Sequence, residues 1–380
     1  MKVTIVMSFP FPEGKATANR IKVLANELIL KKNVGTVEII CCSDTKKSTY
    51  QYEKSIKVTT VQVSDINKNK LFYRAIHELR MAFKFWDRAH ASHADVIIVT
   101  VPSIFLLVPI AFGARRADIV LDVRDAVWTY LGKGIISKFA SVVMAYLFRM
   151  ASKNARIISV TNMLEARHIE KITGMNPLVI SNGISKTKLE DLKALKVVSV
   201  SNTTNIAYIG NVGIAQDLDT LIDLSKEIDN ITVTIVGDGA KLSELKKRCF
   251  DEGLGNVLFT GLISSEKVLK YIGQADILFA QIGPNFASAV PTKIFEYIAS
   301  GRPVLLGLPN GPAKEIFSEF KCLEIFDTGN LASCIVSYKK LIMTKQSAVH
   351  RKFNIDLLEM HYLREISSKK LADAVAKLAF

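Results

Sequence analysis

Apolar residues in this chain fall into short runs separated by longer stretches of helical period. In the first half the runs are 3–7 (VTIVM), 37–42 (VEIICC), 95–100 (DVIIVT), 118–123 (DIVLDV), 156–161 (RIISVT) and 177–181 (PLVIS). Helical patterns such as residues 18–30 lie between them. Alternation of strand and helix predicts a parallel sheet covered by helices on both faces. A second series follows at 205–210, 232–237, 256–261, 276–281, 302–307 and 322–326. The chain therefore reads as α/β: two doubly wound, Rossmann-like domains in tandem, facing each other across a cleft. Ligands are expected beyond the carboxyl ends of the strands.

The predicted boundaries are 1–184 for the first domain and 201–355 for the second. Asn182-Gly183-Ile184-Ser185 and the Lys-rich residues after it suggest a linker over 185–200. The last helical pattern, about 356–380, has no strand to pair with and is expected to pack back on the first domain.

A length of 380 residues suits two domains, and 49% apolar with 23% charged residues describes a folded globular protein. The five cysteines (Cys41, Cys42, Cys249, Cys322, Cys334) lack metal-ligand spacing and read as reduced thiols of a cytoplasmic protein. The six histidines form no ligand set, so no metal and no cofactor are expected. The first apolar run is too short for a signal peptide, and no run reaches the ~18 residues of a membrane span.

Charge changes the picture. Residues 1–185 hold 26 Lys and Arg against 14 Asp and Glu, while the remainder holds 24 against 22. A basic first half suggests a polyanion or an anionic membrane as partner. Nucleic acid is not expected, since no recognisable binding module is present. Two helical patterns in this half combine apolar stripes with cations. In one, Leu71, Phe72, Ile76, Leu79, Phe83 and Trp86 are flanked by Lys68, Lys70, Arg74, Arg80, Lys84 and Arg88. In the other, Ile135, Ile136, Phe139, Val142, Val143, Tyr146, Leu147 and Met150 are flanked by Lys133, Lys138, Arg149 and Lys153. The first is expected on an anionic membrane surface, the second on its own sheet.

Candidate chemistry concentrates in residues 291–305, PTKIFEYIASGRPVL. Pro291 and Thr292 supply a helix start, with Thr able to cap it, and Gly301 with Pro303 a stop. The unpaired N–H groups and dipole of a helix start make an anion site, here with Lys293 at the entrance. Glu296, one turn on, could accept hydrogen bonds from a vicinal diol. Phosphate at one end and ribose at the other would describe a nucleotide. Gly210-Asn211-Val212-Gly213 after a strand either lets a phosphate approach backbone N–H groups or is a tight strand-to-helix turn. Gly237-Asp238-Gly239 either turns near a planar base or is a plain turn. Asp217 and Asp219 suit a helix start better than a metal.

In the order YIGNVGIAQDLDTLI, IVGDG, NVLFTG, ADILFA and PTKIFEYIASGRPVL, these pieces resemble the donor-nucleotide domain of GT-B glycosyltransferases, family 4 in particular. The resemblance is strongest over about 200–310 and is supported by residues 8–21 and by SNGIS at 181–185. It implies that Glu296 binds the ribose hydroxyls and that the helix start at Thr292 and Lys293 faces the diphosphate. Gly14 would lie in the loop that closes over the donor phosphates, and Gly210 and Gly213 below the diphosphate. Two features depart from the family: Ser288 stands where the first acid of a glutamate pair belongs, and the usual diphosphate-clamping cations after the glycine turn are missing. Lys293, with Arg20 or Lys15, is expected to neutralise the diphosphate instead.

Arg124 and Asp125, at the end of a first-domain strand, match the place of the family's central His or Asp motif, which in a subgroup is an Arg-Asp pair followed by an aromatic. They would orient the acceptor hydroxyl or the donor sugar, or simply form an ion pair. The implied activity is retaining transfer of a sugar from a nucleotide-sugar, UDP favoured, to a lipid-diphosphate-linked saccharide acceptor in bacterial surface polysaccharide (O-antigen or capsule) assembly. The enzyme would be peripheral on the inner face of the plasma membrane. A sugar-nucleotide epimerase of the same fold and a non-catalytic nucleotide-binding scaffold are the alternatives.

Overall fold

A computed structural model describes residues 1–12, 16–43, 48–63, 71–101, 104–113, 116–124, 126, 128, 134–195, 203–344 and 347–379. The chain divides into two compact units, Met1–Ser181 with Arg364–Phe380, and Asn182–Leu363.

The first unit alternates as the apolar runs predict. Its strands are β1 (Lys2–Val6), β2 (Thr36–Ser43), β3 (Thr49–Glu53), β4 (Ile56–Gln62), β5 (Val96–Val101), β6 (Asp118–Val123), β7 (Ala155–Val160) and β8 (Leu178–Val179). Its helices are α1 (Ala16–Ile29), α2 (Leu71–Ala91), α3 (Leu107–Phe112), α4 (Ile135–Ser152) and α5 (Met163–Thr173). Among the described residues the sheet runs β3-β4-β2-β1-β5-β6-β7-β8, parallel except for the β3–β4 pair. The pattern of apolar runs does not announce β3 and β4. β3 is TYQYE, almost wholly exposed at the antiparallel edge, so no buried face shapes its sequence.

The two amphipathic helices face the reverse of the sequence expectation. On α2 the residues that enter the core are Met81, Ala82, Phe85, Trp86 and Ala89. Ile76 and Leu79 are half-buried and Phe83 is exposed; the side chains of Leu71 and Phe72 lie outside the described residues. Lys68 and Lys70 lie outside the described residues. On α4 the core takes Phe148 and Ala151, while Ile135, Phe139, Val142, Val143 and Tyr146 point to solvent. Lys133 lies outside the described residues. The packing face of α2 runs through Met81, Phe85 and Trp86 with Ala82 and Ala89 between them, so it shares Trp86 with the expected stripe but leaves Phe83 outside.

The second unit opens with α6 (Lys186–Lys193), capped where Ser185 Oγ accepts the N–H of Lys188 at 3.3 Å. Leu189 and Leu192 of α6 are buried in this unit's core, so the first half of the expected linker is a packed helix. There follow β9 (Thr204–Ile209), α7 (Asp219–Glu227), β10 (Ile231–Val236), α8 (Leu242–Asp251), β11 (Val257–Gly261), α9 (Ser265–Gln274), β12 (Ile277–Gln281), α10 (Thr292–Ala299), β13 (Val304–Leu308), α11 (Pro312–Phe317), β14 (Leu323–Asp327), α12 (Leu331–Met343) and α13 (Ala348–His361). The described sheet is parallel in the order β11-β10-β9-β12-β13-β14. Successive crossovers therefore run one way from β9 to β11 and the other way from β12 to β14. The change of direction falls between β9 and β12, where such sheets bind ligands.

The chain then returns to the first unit as α14 (Arg364–Ala376). Leu371, Ala372 and Val375 pack with Ala18, Ile21 and Ala25 of α1 in one buried cluster. Each large apolar side chain buried there stabilises the unit by about 1.5–3 kcal/mol. The expected single helix over 356–380 is thus two helices, one in each unit.

Candidate functional site

β9 and β12 are paired only at Ile206–Ile277 and Ala207–Leu278. Tyr208 and Ile209 leave that ladder, which opens the sheet at the crossover point. Buried peptide groups need partners, and a side chain supplies them. Tyr297 Oη accepts the N–H of Ile209 at 2.8 Å and donates to its carbonyl at 3.0 Å. Burial raises the phenol's pKa well above its ordinary value, which keeps it a donor. α10 is thereby pinned to the end of β9. Ile294, Phe295, Tyr297 and Ile298 bury its apolar face, and Gly301, at φ 74°, ends it.

The polar face of α10 carries the predicted nucleotide residues. Pro291 takes the cap position and no side chain caps the helix; Thr292 is the first helical residue and does not cap it, contrary to expectation. Lys293 Nζ lies 3.2 Å from Glu296 Oε2, with the side chains 35% and 21% exposed. Both are thus accessible and held one turn apart. Ser288 is half-buried, three residues before Pro291.

The turns after β9 and β10 are joined backbone to backbone. Gly210 N–H donates to Val236 O at 2.9 Å, Val212 N–H to Asp238 O at 2.9 Å, and Lys241 N–H to Val212 O at 3.0 Å. Gly237 has φ 140°, and a Cβ there would stand 1.8 Å from Gly210 O. This backbone contact is sufficient reason for glycine at 237 and brings Gly210, Gly237 and Asp238 together. Asp238 is exposed and accepts the N–H of Gly239 at 2.7 Å. Gly213 lines a cavity of ≈ 300 Å³ with Asp217, Lys241, Gly283 and Phe286. Lys241, two residues after the Gly237-Asp238-Gly239 turn, is a cation of this cavity that the sequence pattern does not single out. Its ammonium pairs with Glu244. Asp219 pairs with Arg248 at 2.6 Å, as an acid at a helix start readily does. Burial, with Asp219 nearby, raises the pKa of Asp217.

In the first unit, Arg20 and Arg124 converge on Asp122 at the end of β6. Arg20 Nη2 is 2.9 Å from Asp122 Oδ1, and Arg124 Nε is 3.3 Å from Oδ2. Ser159 Oγ donates to Oδ1 at 2.8 Å. All three charged side chains are almost wholly buried. Burial alone would raise the Asp122 pKa, but Arg20 and Arg124 outweigh it and hold the carboxyl below the usual range. Arg20 is committed to this pair and does not present a free cation. Gly14, Lys15 and Asp125 lie outside the described residues. Glu165 of α5 accepts the N–H of Ala126 at 3.4 Å and of Thr161 at 3.1 Å. His168 Nε2 accepts the indole N–H of Trp128 at 3.1 Å. Burial, then the charge of Lys171, lowers the His168 pKa.

Residues 194–349 match the family model described as glycosyl transferases group 1. No curated protein matches in a sequence comparison. Among solved structures, sucrose-phosphate synthase from Thermosynechococcus elongatus superposes with a TM-score of 0.78 at 14% identity, covering 100% of this chain and 99% of that one. Anabaena HepE, solved in complex with UDP and glucose, gives 0.68 at 14% identity over 99% of each. WaaG, a glycosyltransferase involved in lipopolysaccharide biosynthesis, gives 0.69 at 14% identity over 98% and 99%.

Proposed function

We propose that this chain, which has the fold of the solved glycosyltransferases above and matches glycosyl transferases group 1 over residues 194–349, is a glycosyltransferase that moves a sugar, with retention, from a nucleotide-sugar to a lipid-diphosphate-linked saccharide. The observation that carries the donor half is α10. Tyr297 pins this helix at the end of β9, no side chain caps its start, and Lys293 and Glu296 remain accessible on its polar face. A diphosphate takes the helix start and the Lys293 ammonium. The ribose diol takes the Glu296 carboxylate, so donor binding replaces the Lys293–Glu296 pair with two charge-assisted contacts. UDP is the favoured nucleotide, supported by the UDP in HepE.

In the proposed reaction the bond from the anomeric carbon to the phosphate oxygen breaks. The bond to the acceptor oxygen forms on the same face, and the acceptor proton passes to the departing phosphate. No side-chain base is then required, and Asp125 positions the acceptor. The basic first half and the lipopolysaccharide role of WaaG support a lipid-linked acceptor at a membrane surface, in surface polysaccharide assembly.

Thermal unfolding of the protein with UDP, GDP and their sugar conjugates tests the donor half, since a ligand that binds only the native state raises Tm. Protection by UDP and UDP-sugars, with sugar transfer to a lipid-diphosphate saccharide, is expected. Protection without transfer to any acceptor would favour the scaffold reading, and no protection by any nucleotide would overturn the proposal.

A further inference from the structure

α4 presents an apolar face to solvent. Ile135, Phe139, Val142, Val143 and Tyr146 are 88%, 72%, 68%, 48% and 64% exposed. Their spacing of i, i+4, i+7, i+8 and i+11 places them on one side of the helix. Phe148, Ala151 and Ser152 on the other side are buried. Phe112, 69% exposed, ends α3, which packs on α4. Scattered exposed apolar side chains are ordinary, but a continuous row on one helix is a surface for a partner.

Charge selects the partner. Lys138 and Arg149 share the exposed side and Lys153 follows the helix end, also exposed. From Ala126 to Leu164 the chain has no Asp or Glu. A second copy docked on this face about a two-fold axis would oppose the same cations to one another. A bilayer with anionic headgroups answers both the apolar row and its cations. Among the described residues no helix is long and apolar enough to cross a membrane, so α4 would lie in the plane of the surface.

We infer that α4 is an in-plane docking helix for an anionic lipid bilayer. Phe139, Val142 and Tyr146 enter the boundary between headgroups and acyl chains, and Lys138, Arg149 and Lys153 meet lipid phosphates. This deepens the membrane part of the proposed function and rests on it only for its biological purpose. Its test uses lipid alone, so its failure would leave the transferase reading intact.

The test is co-sedimentation with mixed phosphatidylglycerol–phosphatidylcholine vesicles and with phosphatidylcholine vesicles, at low and high salt. The wild type is expected to bind the anionic vesicles and to be released by salt. Phe139→Ser with Val142→Ser should abolish binding at unchanged Tm, because both side chains are exposed. Lys138→Gln, Arg149→Gln and Lys153→Gln should each weaken partitioning roughly fivefold. Phe83→Ser, on α2, should bind as the wild type does. The inference is overturned if the wild type stays in the supernatant, or binds both vesicles equally. It is also overturned if the serine double variant binds normally, or if the wild type is a dimer that this variant splits.

Discussion

The phenol of Tyr297 makes both of its hydrogen bonds to one residue, Ile209, accepting its N–H at 2.8 Å and donating to its carbonyl at 3.0 Å. A helix side chain thereby continues a ladder that β12 abandons after Ala207. Tyr297→Phe would strand the backbone N–H and C=O of the buried Ile209. A loss of about 2 kcal/mol is expected, measured by chemical denaturation. Nucleotide protection should also fall, because α10 loses its anchor.

On the proposed donor reading, Lys293 takes the phosphate half of the nucleotide and Glu296 the ribose half. Glu296→Ala removes hydrogen bonds to a charged acceptor worth about 1.5–3 kcal/mol, so UDP affinity by calorimetry should drop roughly tenfold to a hundredfold. Lys293→Ala should weaken UDP but leave uridine binding unchanged. Equal effects on both ligands would place Lys293 away from the diphosphate.

Asp122 neutralises two buried guanidinium groups, so Asp122→Asn should cost about 3–5 kcal/mol by leaving charge uncompensated. Its folded pKa is lowered, so its contribution is complete above the ordinary carboxylate value. That contribution is lost as pH falls through the folded pKa. The stability of the Asn variant should therefore fall less steeply with acid than that of the wild type, the remaining slope coming from carboxylates such as Glu38.

His168 acts in a higher window. Its folded pKa lies below the ordinary 6.5, so the unfolded chain takes up the proton first. Stability is complete above that value and falls as pH drops below it. Protonation also removes the acceptor for Trp128 Nε1–H. Tm measured against pH should decline below about 6.5 in the wild type and decline less in His168→Gln, whose amide oxygen still accepts.

The sequence by itself determined the two strand series, the unequal charge of the two halves and the helix over Thr292–Ala299 with Lys293 and Glu296 on its polar side. These are local properties: strand runs, caps and helical period are written in neighbouring residues. It also placed Gly210 and Gly237 at turns but left their purpose open. The tertiary structure decided that Gly237 meets the backbone of Gly210. It likewise decided that Arg20 serves Asp122 and that Ser185 starts a packed helix. It also reversed the two amphipathic helices. Period reveals that a helix has an apolar stripe, but only its neighbours decide what covers it. On α2 the covered side runs through Ala82 and Ala89, while on α4 packing at Phe148 and Ala151 leaves Phe139 and Val142 in solvent. Tyr297 is the plainest case. It reads as one more apolar helix position, and its partner is 88 residues away, brought there by the strand order.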